Sequence, residues 1–270
     1  MLEIETYIVD SFTDEPFKGN PAGVCLLKKE LSTNKMHSIA KELGLSETAF
    51  VTQKLDQKKY TIRYFSPVME IPLCGHATLA ASKVLFENTK VSKIHFTTIE
   101  NIDLIIQKEK QNITMAFPVY NTVKQNAPQE LLEALGISNI VNSVYNKETK
   151  ILLIEIKDSK ILNDLKPKYD QLKKSHNEIN GVLVTSPSIK ADYDFESRYF
   201  WPWSGTNEDP VTGGTHTFLA KYWSLKLDKN KMKSFQCSER TGFMEVELLS
   251  NEKMTIKGKA QITLKGTMYV

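Results

Sequence analysis

The chain has 270 residues, of which 41% are hydrophobic and 25% charged, enough apolar material for one large core or two small ones. That balance excludes a disordered tail, a coiled coil and a collagen-like repeat. Thirty-five basic and thirty-two acidic residues leave a formal charge of +3 with no basic block, so nothing marks a nucleic-acid partner. The chain opens Met1-Leu2-Glu3-Ile4-Glu5, with acids where a secretory signal needs basic residues, and no apolar run approaches the roughly 18 residues of a membrane span. Cys25, Cys74 and Cys237 are odd in number and far apart, a pattern of neither a disulfide framework nor a zinc site. The expectation is a soluble cytoplasmic protein that binds no metal, no membrane and no nucleic acid.

Short β-rich runs recur in chain order: Thr6 to Asp10, Tyr60 to Phe65, then Ile102 to Gln107 and Ile113 to Phe117 as one hairpin. Later runs are Lys150 to Ile156, Gly181 to Thr185, and Met244 to Leu249, Met254 to Gly258 and Gln261 to Met268, the last three read as a meander. A surface helix is predicted over Thr33 to Leu43, where Met36, Ile39, Ala40 and Leu43 share a face and Gly44 supplies the stop. A second is predicted over Pro128 to Leu135 before Gly136. His76 to Glu87 and Thr215 to Leu227 are apolar around their whole circumference in the first turns, which predicts buried central helices.

An internal echo links those two helices. Arg63-Tyr64-Phe65-Ser66-Pro67 returns as Arg198-Tyr199-Phe200-Trp201-Pro202, 135 residues later, and each copy leads through a glycine turn into a helix. The turns are Leu73-Cys74-Gly75-His76 and Val211-Thr212-Gly213-Gly214. Two strand, proline-loop, glycine and helix units half a chain apart point to a duplicated domain with a boundary near Pro118 to Asn126.

If the two units face each other, Gly75, Gly213 and Gly214 bring two helix amino ends to one cleft, a receptor for a carboxylate. Glycine there lets the backbone approach a ligand and tolerates positive φ; plain turn glycines are the alternative. Glu47 lies in Ser46-Glu47-Thr48-Ala49-Phe50-Val51, among small and apolar neighbours whose desolvation raises a carboxyl pKa toward neutrality, where acid-base catalysis works best. A solvated loop glutamate is the alternative. His76 opens the first central helix, a place that favours neutral imidazole, and Asp209 precedes the second glycine turn as a substrate ligand or a cap. Trp201 and Trp203 beside Tyr199 line a pocket or end a buried strand, and Cys25 reads as a core hydrophobe. No dinucleotide, phosphate-loop, zinc-hydrolase or serine-hydrolase motif is present.

These residues resemble the PhzF, or phenazine biosynthesis-like, family over essentially the whole length. The motifs are Asp10-Ser11-Phe12-Thr13 through Phe17-x-Gly19-Asn20-Pro21-Ala22-Gly23-Val24, Ser46-Glu47-Thr48-Ala49-Phe50, Gly75-His76-Ala77-Thr78, Glu208-Asp209-Pro210-Val211-Thr212-Gly213 and Phe235-Gln236-Cys237-Ser238. The resemblance implies an α+β, diaminopimelate epimerase-like fold: two pseudo-symmetric lobes, 1–120 and 121–270, each a β-barrel-like sheet around a central helix, with the last strand free to pair back to the first lobe. It also implies a homodimer without a cofactor. The best-understood member isomerises trans-2,3-dihydro-3-hydroxyanthranilate, with an acid that matches Glu47 as proton carrier. His76, Asp209 and the amides of Gly75 and Gly213 match groups that orient substrate. Gly214 departs from the family, where many members have serine, which puts the substrate in doubt.

The leading expectation is a cofactor-independent isomerase of a small carboxylate-bearing metabolite, with Glu47 catalytic and His76, Asp209, Gly75, Gly213 and Gly214 binding substrate. Related epimerases use two opposed cysteines; Cys74 holds the first such place and Thr212 the second. A Cys74-dependent epimerase or dehydratase of an amino or hydroxy acid is therefore one alternative. A catalytically silent binding protein is another.

Overall fold

In the computed structural model, which describes residues 1–53 and 59–270, the chain divides into two units, Met1–Ala116 with Thr255–Val270, and Phe117–Met254. In the first, strand β1 (Glu3–Ser11) pairs antiparallel with β2 (Asn20–Leu27). The loop between them turns through positive φ at Phe12, Phe17 and Gly19; a Cβ on Gly19 would stand 2.1 Å from the Ser11 carbonyl oxygen, so only glycine fits. Helix α1 (Thr33–Leu43) forms where the spacing places it, capped by Ser32, ended by Gly44 at φ 63° and burying Met36, Ile39 and Ala40.

The α1 crossover makes β3 (Glu47–Gln53) parallel to β2. β4 (Lys59–Phe65) runs antiparallel to β3, and the two-residue β5 (Glu70–Ile71) folds back on β4. After helix α2 (Gly75–Asn88), β6 (Lys93–Thr97) lies parallel to β4. β7 (Asp103–Glu109) and β8 (Asn112–Pro118) form the predicted hairpin, with Ile113 and Met115 buried.

The second unit starts with β9 (Val123–Lys124) and helix α3 (Gln129–Leu135), which ends at Gly136 with φ 76°. β10 (Asn142–Asn146) and β11 (Ile151–Glu155) are antiparallel. Two short helices, α4 (Ser159–Asp164) and α5 (Tyr169–Lys174), carry the chain to β12 (Gly181–Pro187), parallel to β11. Neither helix is foreseen by the sequence, because six residues make less than two turns and leave no readable period. β13 (Phe195–Phe200) is antiparallel to β12, and β14 (Glu208–Asp209) folds back on β13. Helix α6 (His216–Leu227), β15 (Lys231–Gln236) parallel to β13, β16 (Gly242–Leu248) and β17 (Lys253–Gly258) follow. The final strand, β18 (Ala260–Tyr269), pairs antiparallel with β1 in the first unit, the return the resemblance implied, and from Thr255 on β17 belongs to that unit as well.

The two units repeat one plan, since β1 to β6 with α2 pair in the same senses as β10 to β15 with α6. The repeat is longer than its strand echo. Glu70-Ile71-Pro72-Leu73-Cys74-Gly75 corresponds to Glu208-Asp209-Pro210-Val211-Thr212-Gly213, with Phe65 opposite Glu70 and Phe200 opposite Glu208. Both copies carry the same forked ion pair. Arg63 donates from Nε and Nη2 to the Glu70 carboxylate at 2.7 and 2.8 Å, and Arg198 does the same to Glu208 at 2.8 and 2.7 Å. Each arginine thereby fastens a strand to the turn that enters the central helix.

Both central helices are buried as predicted. Ten of the fourteen residues of α2 are buried, against β1, β2, β3 and β18. In α6 the buried set is His216 to Ala220 with Tyr222 and Trp223. Trp223 stacks on Phe195 at 5.5 Å and donates its indole N–H to Thr185. Cys25 is fully buried in the first unit's core, as expected of a small hydrophobe.

Candidate active site

Three side chains meet where β3 begins and α2 begins. Glu47 is the first residue of β3, Cys74 stands at the N-cap of α2 in extended conformation, and His76 is the second residue of the helix. His76 Nε2 lies 3.1 Å from Glu47 Oε2, with 9% and 13% of the two side chains exposed. Ser46 Oγ stands 3.4 Å from the same nitrogen and also hydrogen-bonds the Glu47 carboxylate. The fully buried Ser11 donates to the His76 carbonyl at 2.7 Å, which pins the first turn of the helix to β1.

Two expectations about proton affinity are overturned here. Burial does push the Glu47 carboxyl upward, but hydrogen bonding and charge from His76, with help from Ser46, outweigh it and leave the carboxyl below its ordinary 4.5. Burial also pulls His76 down, yet its hydrogen bonds to Cys74 and Glu47, with the Glu47 charge, raise it well above 6.5, against the neutral ring that a helix amino end alone would favour. The sequence places each group in an environment without showing that each is the other's environment. At neutral pH the pair is a carboxylate against an imidazolium.

The Cys74 thiol is raised above 9.0 by burial and by the Glu47 charge, against the opposing pull of His76. Its sulfur stands 3.4 Å from His76 Nδ1 and 3.9 Å from Nε2. The shorter contact, to Nδ1, is a hydrogen bond between the thiol and the ring. Glu47, Cys74 and His76 are the group among the described residues whose donor atoms lie close enough, within 4.8 Å, to suit a metal ion.

The second unit builds a different cluster at the matching place. Asp209 ends β14, and Thr212 Oγ1 donates to its Oδ2 at 2.5 Å. Gln236, the last residue of β15, accepts the Thr212 N–H at 2.8 Å and donates to the Asp209 carbonyl at 2.6 Å. Thr212 occupies the place of Cys74. The residue matching Thr78 is His216, whose ring meets the Thr212 carbonyl at 3.0 Å and Ser234 Oγ at 2.9 Å; burial holds it down at about 4. His216 is a neutral structural histidine.

The glycines differ from expectation in one respect. Positive φ occurs at Gly19, Gly44, Gly136 and Gly205, not at Gly75, Gly213 or Gly214. A Cβ on Gly214 would meet nothing within 4 Å, so a small side chain such as serine would start there without a clash. Trp203 donates to the His176 carbonyl and packs on the second unit's core, the buried-strand-end alternative for that residue.

A family model described as phenazine biosynthesis-like protein, PhzC-PhzF, matches residues 9–266. The chain belongs to this family. It is 38% identical to phenazine biosynthesis-like domain-containing protein 1 of Mus musculus, over 99% of each chain. It is 37% identical, over the full length of both, to a protein of Halalkalibacterium halodurans named an uncharacterized isomerase. A solved PhzF-family structure from Enterococcus faecalis superposes with a TM-score of 0.92 at 35% identity, covering both chains completely. The fold is also shared with a "predicted epimerase" of Pseudomonas aeruginosa, at TM-score 0.72 and 18% identity over 99% of each chain. The fold is thus epimerase-like, and the isomerase-named relative supports an isomerase kind of function for this chain.

Ser46 and Gln236 stand in the clusters although sequence reasoning gave neither a role. Both lie inside recognised motifs, and that was the only signal available; their partners are thirty and about twenty-five positions away.

Proposed function

We propose that this protein is a cofactor-independent isomerase of a small carboxylate-bearing metabolite, with Glu47 carrying a proton from one carbon to another. The observation that carries this reading is the 3.1 Å contact of ionised Glu47 with His76 at the amino end of α2. A carboxylate can take a proton from a carbon next to an electron-withdrawing group; the electron pair left behind spreads into the conjugated substrate. The same carboxyl then returns the proton to a second carbon, so the reaction is redox-neutral and the enzyme ends as it began.

His76 supplies positive charge beside the developing anion, and the positive amino end of α2 suits a substrate carboxylate. In this reading Asp209 and the Gly213 and Gly214 amides also hold substrate, and Cys74 stays a neutral thiol.

The test incubates wild type and Glu47→Gln with a cell metabolite extract in deuterium oxide and searches by mass spectrometry for isomers or deuterium uptake. Uptake with wild type alone is the expected result. Uptake with both proteins overturns the role of Glu47 and points to Cys74, and uptake with neither, in an extract of broad coverage, favours a binding protein.

A further inference from the structure

We propose that Gln236 is a positioning residue for Asp209, a clamp that keeps the Asp209 carboxylate and the Thr212 hydroxyl turned toward each other. The inference rests on the reading in which Asp209 holds substrate. Gln236 is 2% exposed and spends its amide on one turn: Oε1 accepts Thr212 N–H at 2.8 Å, and Nε2 donates to Asp209 O at 2.6 Å. One planar group therefore grips both ends of Asp209-Pro210-Val211-Thr212. Proline removes an N–H inside this turn, so the strand-like bonds that hold an ordinary backbone segment are fewer here. With both ends fixed, Thr212 Oγ1 meets Asp209 Oδ2 at 2.5 Å.

The clamp is itself anchored. Gln236 sits opposite Ser197 in the parallel pairing of β15 with β13, the next residue's N–H donates to the Ser197 carbonyl at 3.0 Å, and Ser238 Oγ stands 3.2 Å from Nε2 and donates to Asp209 O at 3.3 Å. The first unit shows what the position does when it is not used this way. Thr98 stands at the corresponding place after β6, and its hydroxyl accepts Ile102 N–H at 3.2 Å in its own hairpin turn. The matching turn of the first unit, Ile71 to Cys74, carries no acid at the place of Asp209. The clamp occurs in the copy that has a carboxylate to aim.

The first measurement needs no substrate. The Asp209 carboxyl, assigned by comparison with Asp209→Asn, is titrated by carbon-13 NMR in wild type, Gln236→Met and Thr212→Val. Loosening the clamp or removing the hydroxyl withdraws a hydrogen bond from the ionised form, so both variants raise the Asp209 pKa by about half a unit or more. An unchanged titration in Thr212→Val, or in a folded Gln236→Met, overturns the proposal.

The second measurement uses the deuterium exchange that depends on Glu47. Gln236→Met lowers kcat about tenfold or more with the chain still folded. Gln236→Glu is equally poor at pH 8, where the introduced carboxylate cannot donate to the Asp209 carbonyl, and recovers, relative to wild type at the same pH, as the pH is lowered through the pKa that burial raises in that carboxyl and protonation restores a donor. Full activity of both variants at every pH, or a loss that follows unfolding and shows no rescue, overturns the positioning role. If wild type exchanges nothing, the proposed isomerase fails while the titration still judges the clamp.

Discussion

The two units of this chain carry one backbone plan with different chemistry written on it. Strand senses, the forked arginine pair and the proline-glycine turn agree between the copies. The side chains at the turn do not. The first copy places Cys74 and His76 beside Glu47, while the second places Thr212 and Asp209 in the grip of Gln236. Features that hold the backbone are the same in both copies, and the side chains proposed to bind substrate differ between them. Even the arginines differ in detail. Arg198 Nη1 donates to the carbonyls of Leu162, Asn163 and Leu165, whereas Arg63 turns to Thr33 and to Glu30, which is 61% exposed.

The largest expected effect tests the first copy's acid. Glu47→Gln should slow deuterium exchange by about a hundredfold or more, read by mass spectrometry. A comparable loss in Asp209→Asn would show that the second copy carries as much of the reaction as the first. Next in size is the arginine pair, measured by urea unfolding. Arg198→Met strands a carboxylate and three carbonyls and should cost about 3–5 kcal/mol. Arg63→Met leaves acids that water reaches and should cost about 1–2 kcal/mol. Equal losses would mean that the carbonyl contacts of Arg198 add nothing.

The histidines should titrate in opposite directions, followed by proton NMR of the imidazole rings. His76 should keep its proton well above pH 6.5, and His216 should gain one only near pH 4. The signs for stability differ accordingly. The Glu47–His76 pair contributes fully between about 4.5 and 6.5, the ordinary values of its members; the carboxylate's part is lost as pH falls through its lowered pKa, and the imidazolium's part as pH rises through its raised one. His216, buried neutral, destabilises the fold as pH falls from 6.5 toward about 4, because the unfolded chain takes up the proton first. The smallest effect belongs to Cys74→Ala, a change of a few-fold in exchange rate for a neutral thiol hydrogen-bonded to His76. A loss near that of Glu47→Gln would move the acid-base role to sulfur.

Much of the fold was legible in the residues. Helix α1 and its Gly44 stop, the β7–β8 hairpin and the two central helices follow from period, caps and all-round apolarity, which are local properties. The echo of Arg63 to Pro67 in Arg198 to Pro202 exposed the duplication. The return of β18 to β1 was legible through the family resemblance and not from the strand itself, since a strand's pattern tells which face it buries and not which neighbour it finds. Helices α4 and α5 were too short for a period.

The candidate site divides the same way. The sequence by itself determined the residue types and their motifs: Glu47 beside small neighbours, Gly75-His76 at a helix start, Asp209 before a glycine turn, and through them the family. Tertiary structure alone decided their states. Glu47 is held below its ordinary pKa and His76 above because two residues 29 positions apart stand 3.1 Å from each other. Cys74 is hydrogen-bonded to the His76 ring, and Gln236 reaches a turn some 25 residues back along the chain. Proton affinity and orientation are set by neighbours in space, and a sequence shows only neighbours along the chain.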